Sequence, residues 1–143
     1  MYVPAVEFPE ESVSSGHVTF SVQANNDAHI ALGVDTQHNG VHYEIVLGGW
    51  GNNHSKIRSG NQGHSLADHP GRVLDGNKHI TFRLSWDANV LKVERADDET
   101  SNLVEIMRFD DRASSDYNYE IKYMMVSTGW GATGDWKVLD YAA

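Results

Sequence analysis

Short segments in which apolar and polar side chains alternate recur along most of the chain, and they constrain the fold more than any other feature. In residues 17–23, for example, Val18, Phe20 and Val22 alternate with polar neighbours. Such alternation places the apolar side chains on one face of a β-strand. No segment has the apolar spacing of three and four residues that is typical of an amphipathic helix. The sequence therefore predicts an all-β protein with essentially no helix.

Turn-forming residues separate the alternating segments, which follow one another closely. The predicted strands cover residues 17–23, 29–34, 43–47, 56–59, 79–86, 90–95, 102–109, 119–127 and 136–141. We expect the first two strands to form a hairpin. Residues 1–15 are interpreted as an irregular lead-in with room for one edge strand, and residues 51–76 as a long loop around one short strand. Such a series predicts an antiparallel β-sandwich or jelly roll, galectin-like in architecture only.

Length and composition favour one domain over residues 1–143, because a chain of this size with 40% apolar residues can bury its own core. The net charge of −9, with its basic residues scattered, does not indicate a nucleic-acid or anionic-lipid surface. No apolar run is long enough to span a bilayer. The first residues have no signal-peptide pattern, although a signal could have been removed from this form. The absence of cysteine excludes disulfides and thiolate zinc sites.

Two tryptophans, Trp50 and Trp130, each lie between two glycines at the end of a predicted strand. Glycine weakens a strand and packs against nothing, so this pattern needs an explanation. Either each indole folds over the open end of the sandwich, or it is an exposed platform for the apolar face of a sugar ring. Trp86, at the end of an alternating strand, is assigned to the core, and the position of Trp136 is left open.

Polar side chains that can bind sugar hydroxyls surround these turns, with amide, imidazole, carboxylate and guanidinium groups all represented. The candidate ligand-binding residues are Trp50, Asn52, Asn53, His54, Arg58, His64, Glu44, Trp130 and Asp135.

Metal binding is not predicted, although the chain has eight histidines. A site would need several imidazoles at short spacing on one rigid element. His38 with His42, and His64 with His69, instead lie in or across predicted loops. The acidic clusters late in the chain lack the pattern of a calcium-binding loop.

Catalysis and cofactor binding are not predicted either. The sequence has no nucleophile elbow, no phosphate-binding glycine loop and no dinucleotide fingerprint. Glu44, Glu94, Glu105 and Glu120 lie on predicted strands, and two carboxylates across a sheet could hydrolyse a glycoside. However, no Glu-x-Asp-x-x-Glu arrangement is present, and we expect no enzyme activity.

Several segments together resemble the farnesoic acid O-methyltransferase domain family. The resemblance spans about residues 17–138 and rests on Phe20, residues 24–32, residues 43–50 with Asn53, Ser55, Ile57 and Arg58, residues 82–86, and residues 126–131 with Gly134 and Trp136. The family name implies a methyltransferase, but the βαβ unit that such an enzyme needs is not predicted. Domains of this kind occur as modules of invertebrate extracellular proteins, and some stand-alone relatives look like invertebrate lectins. The galectin sequence pattern is not matched.

From the residues and this resemblance, the leading hypothesis is a metal-independent, extracellular animal lectin that binds glycans. We expect it to be a homo-oligomer, because exposed sheet edges offer an interface and linked sites multiply weak sugar affinity. One alternative is a small-lipid or isoprenoid binder whose interior cavity is lined by Met107, Met124 and Met125. Another is a protein–protein interaction module.

Overall fold

The computed structural model describes residues 2–9, 14–36, 40–60, 63–87, 90–110, 120–129 and 133–142. These residues form eleven strands and one helical turn. The elements are β1 (Val3–Glu7), β2 (Ser15–Ala24), β3 (Ala28–Gly33), β4 (Val41–Gly48), α1 (Gly49–Asn52), β5 (His54–Ser59), β6 (Ser65–Pro70), β7 (Ile80–Asp87), β8 (Val90–Ala96), β9 (Leu103–Asp110), β10 (Tyr123–Thr128) and β11 (Gly134–Ala142).

The strands form two sheets in which each pair of neighbours is antiparallel. One sheet has six strands in the order β1-β10-β3-β4-β5-β6, and the other has five in the order β11-β2-β7-β8-β9. The prediction of an antiparallel β-sandwich is therefore confirmed. In the part of the chain described, no helix is long and apolar enough to cross a membrane.

The core lies between the sheets and is made of the inward-facing members of the alternating segments. Phe20 on β2 and Phe82 on β7 are directly paired, and their stacked rings have centroids 5.7 Å apart. The six-stranded sheet contributes Ile45 on β4 and Ile57 on β5 to the core, and both residues are fully buried. Trp86 is buried against Phe8, as predicted. Burial of this apolar surface is the main force that holds the two sheets together.

The predicted hairpin of the first two alternating segments is wrong. The strand β2 pairs with β7 and β11, whereas β3 pairs with β4 and β10. At the turn between them, Asp27 has a φ of 55° and its N–H donates to the carbonyl oxygen of Gly48 at 2.9 Å. This hydrogen bond ties the turn to the end of β4 at the point where the chain crosses from one sheet to the other.

The strand β6 lies in the segment that was predicted to be a long loop. It is an edge strand in which the adjacent residues Leu66 and Ala67 are both apolar, so apolar and polar side chains do not alternate regularly. Antiparallel pairing with β5 holds it in place. Edge strands of this kind are difficult to recognise from apolar periodicity alone.

Candidate functional site

The turn between β4 and β5 is built from left-handed backbone. Gly48, Trp50, Gly51 and Asn52 have φ values of 64°, 52°, 71° and 65°. Only glycine suits position 48, because a Cβ there would also lie 2.7 Å from side-chain atoms of Asn52 and Leu74. The turn points the indole of Trp50 away from the core and leaves 52% of its surface exposed.

Asn52 fixes this turn from the inside. Its side chain is only 2% exposed. The amide nitrogen donates to the carbonyl oxygen of Leu74 at 2.8 Å, and the amide oxygen accepts from the N–H groups of Val73 and Leu74, each at 3.1 Å. All of these interactions are with the backbone of one loop. Asn52 therefore shapes the turn from within, and its side-chain amide, which was expected to bind a ligand, is bonded to the backbone of Val73 and Leu74.

Replacing Asn52 with alanine is expected to lower the free energy of unfolding by about 2 kcal/mol, because buried backbone groups lose their partners. Urea denaturation measures this loss. The matched control is Asn53→Ala, since Asn53 is exposed and its side-chain amide donates to the carbonyl oxygen of Trp50 at 2.9 Å. A control variant as unstable as Asn52→Ala would contradict this account of the turn.

The outer face of the six-stranded sheet presents charged side chains at the positions that alternate with the core residues. Glu44 on β4 lies opposite Arg58 on β5, and Val46 lies between His29 on β3 and Lys56 on β5. These are direct cross-strand neighbours, whose side chains are within reach of one another on the same face. Adjacent strands thus assemble a polar patch from distant parts of the sequence.

Glu44 is the centre of this patch and is only 1% exposed. Its carboxylate accepts a hydrogen bond from the Tyr2 hydroxyl at 2.6 Å and one from Arg58 Nη1 at 3.3 Å. The Nδ1 atom of His29 lies 4.0 Å from the same carboxylate. Burial, reinforced by the hydrogen bond to Glu44, raises the pKa of Tyr2 far above its ordinary value. The phenol therefore remains a donor at physiological pH.

Two cations lie over the indole of Trp50. Lys56 Nζ is 5.6 Å and Arg58 Cζ is 5.4 Å from the ring centroid. Both distances are within the range of cation–π attraction. These contacts orient an aromatic ring that otherwise projects from a turn.

Trp50 and the outer face of β3 to β6 border an open cleft of about 690 Å³, which we call the outer cleft. Clefts of about 300–1,000 Å³ are typical of small-ligand sites. The residues that line it are Asp27, His29, Val46, Trp50, Lys56, Arg58, Gly63 and Ser65. The lining therefore combines an aromatic plane with hydrogen-bonding side chains of several kinds.

The expected site residues fall into three groups. Trp50 and Arg58 line the outer cleft, and Glu44 accepts a hydrogen bond from Arg58 across the strand pair. His54 is at the rim, with Nδ1 3.3 Å from Asp68 Oδ1. Asn53 and His64 are exposed beside the cleft without lining it.

The second tryptophan turn begins next to this site, because the N–H of Gly129 donates to the carbonyl oxygen of Asp27 at 3.0 Å and Asp27 lines the outer cleft. Asp135 lies on β11 of the other sheet, where its carboxylate is 2.9 Å from His79 Nε2. Trp130 lies outside the described residues.

Sequence reasoning missed several residues of the site, namely Tyr2, Asp27, His29, Lys56 and Ser65. His29 and Lys56 had a usable signal, because each alternates with core residues of a predicted strand and so must face outward. That signal becomes informative only when the order of the strands is known. Tyr2, Asp27 and Ser65 lie outside the predicted strands and gave no periodic signal.

A metal site is not found in the described part of the chain. There, no group of three or more histidine, aspartate and glutamate side chains is arranged to hold a metal ion.

Comparison with solved structures reveals a shared fold. A tetrameric galectin from the ball sponge Cinachyrella is 13% identical, with a TM-score of 0.64 over 99% of this chain and 96% of that chain. The carbohydrate-binding module CBM66 from Bacillus subtilis is 13% identical, with a TM-score of 0.64 over 100% and 91% of the two chains. A homodimeric agglutinin from chicken liver is 17% identical, with a TM-score of 0.57 over 99% and 96%.

Comparison by sequence gives the family. No curated protein matches the chain. The family model described as farnesoic acid O-methyl transferase matches residues 1–142, which is almost the full length and extends beyond both ends of the segment that carried the resemblance. The chain therefore belongs to the farnesoic acid O-methyltransferase family.

Proposed function

We propose that this protein binds carbohydrate through the outer cleft, without a metal ion or cofactor. The observation that carries the proposal is an exposed, oriented tryptophan beside a cleft lined with hydrogen-bonding side chains. A sugar ring has one apolar C–H face that an indole can cover, and hydroxyls at its edge that need donors and acceptors. The outer cleft offers both.

The polar groups of the cleft suit hydroxyl ligands. Arg58 offers donors and Asp27 offers an acceptor. His29 lines the cleft, and its buried Nε2 has no hydrogen-bond partner among the described residues, although Asp27 Oδ1 is 3.6 Å away. Buried polar atoms are seldom left unpaired in a native protein. A hydroxyl bound between His29 and Asp27 would supply a partner after a small rearrangement.

The named structural neighbours support the same proposal, because they include a galectin and a carbohydrate-binding module. Their identity to this chain is low, so their likeness establishes the fold, and the ligand is argued from the outer cleft itself.

We also propose that the chain is not an enzyme, although its family is described as a methyl transferase. S-adenosylmethionine enzymes normally bind the cofactor at the glycine-rich turn of a βαβ unit. As in other nucleotide-binding folds, the N-terminus of the helix that follows this turn lies at the ligand. In the described ranges the strand pairs are antiparallel, and α1 has four residues with left-handed backbone at Trp50 and Gly51. The described strands and α1 therefore do not form the βαβ unit that would hold S-adenosylmethionine.

The lipid-binding alternative finds no support in the position of its methionines. Met107 and Met124 are buried in the core between the sheets, whereas Met125 packs with Ala31 and Val41 on the outer face of the six-stranded sheet. The three side chains therefore do not line one cavity.

A glycan array probed with the full chain, with and without EDTA, tests the proposed function. We expect a defined set of glycans to bind equally in both conditions. Loss of binding in EDTA would contradict the metal-independent mechanism. A blank array from folded protein would overturn carbohydrate binding and favour the protein-partner alternative.

We propose further that two copies associate through β11, an edge strand with exposed Val138, Leu139 and Tyr141. Exposed edges and apolar side chains favour pairing with a second copy. Sedimentation equilibrium should show a dimer that Leu139→Lys converts to a monomer. A wild-type monomer at high concentration would contradict this proposal.

We propose an extracellular location on the ground of the ligand alone, because cell-surface and secreted glycoproteins carry most glycans. Immunodetection in cell-free body fluid or culture medium is the expected result, and detection in the cytosol alone would contradict it.

A further inference from the structure

We infer that the outer cleft accepts uncharged glycans, discriminates against glycans that carry a carboxylate or sulfate, and owes part of this preference to Asp68. The inference rests on the proposed function and specifies its ligand class.

Both cations that line the outer cleft already have carboxylate partners. Lys56 Nζ lies 3.6 Å from Asp68 Oδ1, and Arg58 Nη1 lies 3.3 Å from Glu44 Oε1. The same two cations lie over the Trp50 ring. An acidic sugar would have to compete with carboxylates that are in place before it arrives. The structural task of these cations is therefore to hold Trp50, and they are poorly disposed to receive an anion.

The remaining charges of the site also disfavour anions. Asp27 lines the cleft, so three carboxylates (Asp27, Glu44 and Asp68) accompany the two cations. The chain as a whole has a net charge of −9. Like charges repel, and the repulsion is stronger in a partly enclosed cleft than in bulk water. A hydroxyl-rich neutral ligand avoids this repulsion and can still use each polar group.

Asp68 is the residue through which this preference can be altered. It lies on β6 directly opposite Lys56, and its Oδ1 is also 3.3 Å from His54 Nδ1 at the rim. Its side chain is 43% exposed, so replacement by asparagine should preserve the fold. The replacement removes the negative charge beside Lys56 without changing the size of the side chain. Lys56 is then available to an anionic ligand.

The experiment compares matched oligosaccharides on one array, each printed in neutral form and with a terminal sialic acid or a sulfate. The full-length wild type is compared with Asp68→Asn and with a control, Asp98→Asn. The control makes the same change in net charge, but Asp98 pairs with Arg95 Nη2 at 3.2 Å on the other sheet. Dissociation constants are then measured for the matched pair with the strongest neutral signal.

For wild type we expect the acidic member to bind about tenfold more weakly than the neutral one. In Asp68→Asn the ratio of the two dissociation constants, acidic over neutral, should fall by about threefold. The affinity for the neutral member should stay within about twofold of the wild-type value. Asp98→Asn should behave as wild type. Raising the salt from about 0.15 M to about 1 M should narrow the wild-type difference, because salt screens exposed charges.

The outcomes separate this inference from the proposed function. If neutral and acidic members bind wild type equally, or the acidic member binds better, the inference is overturned and carbohydrate binding stands. If Asp68→Asn and Asp98→Asn shift the difference equally, the assignment to Asp68 is overturned. If wild type binds no member of either set, the proposed function fails and this inference fails with it.

Discussion

Replacing Trp50 with alanine is expected to weaken glycan binding by about thirtyfold or more, which corresponds to about 2 kcal/mol of binding free energy. The variant loses the indole plane that the outer cleft offers to the apolar face of a sugar ring. The fold should persist, because about half of the side chain is already exposed and the turn is held by Asn52. Isothermal titration with the strongest array ligand measures the loss, and urea denaturation verifies the fold.

Val104→Ala is the matched control for this experiment. Val104 is an exposed apolar residue at the same level of exposure as Trp50, but it lies on β9 of the other sheet. Its replacement should leave sugar affinity unchanged. Full affinity in a folded Trp50→Ala protein would show that the indole does not contact the sugar.

Replacing Arg58 with methionine is expected to lower the free energy of unfolding by about 3–5 kcal/mol, the usual consequence of removing one member of a buried ion pair. The carboxylate of Glu44 is only 1% exposed and would lose its guanidinium partner at 3.3 Å. The Tyr2 hydroxyl would remain as a donor. Denaturation in urea at constant pH gives the change.

A double-mutant cycle identifies the cause of this loss. Glu44→Gln removes the buried charge, so Arg58→Met should destabilise the Glu44→Gln protein less than wild type, by at least about 1 kcal/mol. The control is Arg108→Met, which breaks an exposed pair with Glu105 at 3.1 Å and should cost about 1 kcal/mol or less. Additive effects of Arg58→Met and Glu44→Gln would show that the two side chains do not depend on each other.

Much of the fold follows from local patterns in the sequence. Alternation alone predicts the strands that contribute Phe20, Ile45 and Phe82 to the core, because a strand with one buried face must alternate. It does not determine which strands pair. The turn where the chain crosses from β2 to β3 is bonded through Asp27 to Gly48 and to Gly129, and no periodicity reveals these contacts.

The site was predictable only where a residue is unusual in its local context. Trp50 could be singled out because glycines flank it, and Arg58 because it follows in the same segment. Tyr2 and His29 lie near Glu44 because the strand order β1-β10-β3-β4 brings residues that are far apart in sequence onto one face of the sheet. Asn52 shows the opposite case, since an amide that suits a ligand binds the backbone of residues 73 and 74.

The central claim is that the outer cleft is the sugar-binding site, and amide and indole NMR spectra during titration with the strongest array ligand test it most directly. The account predicts that the largest shifts belong to the Trp50 indole N–H and to the amides of His29, Lys56, Arg58 and Ser65, all around the cleft. Signals from Asp135 and from β9 should stay in place. Shifts centred on the outer face of the five-stranded sheet, with the Trp50 indole unaffected, would contradict the account.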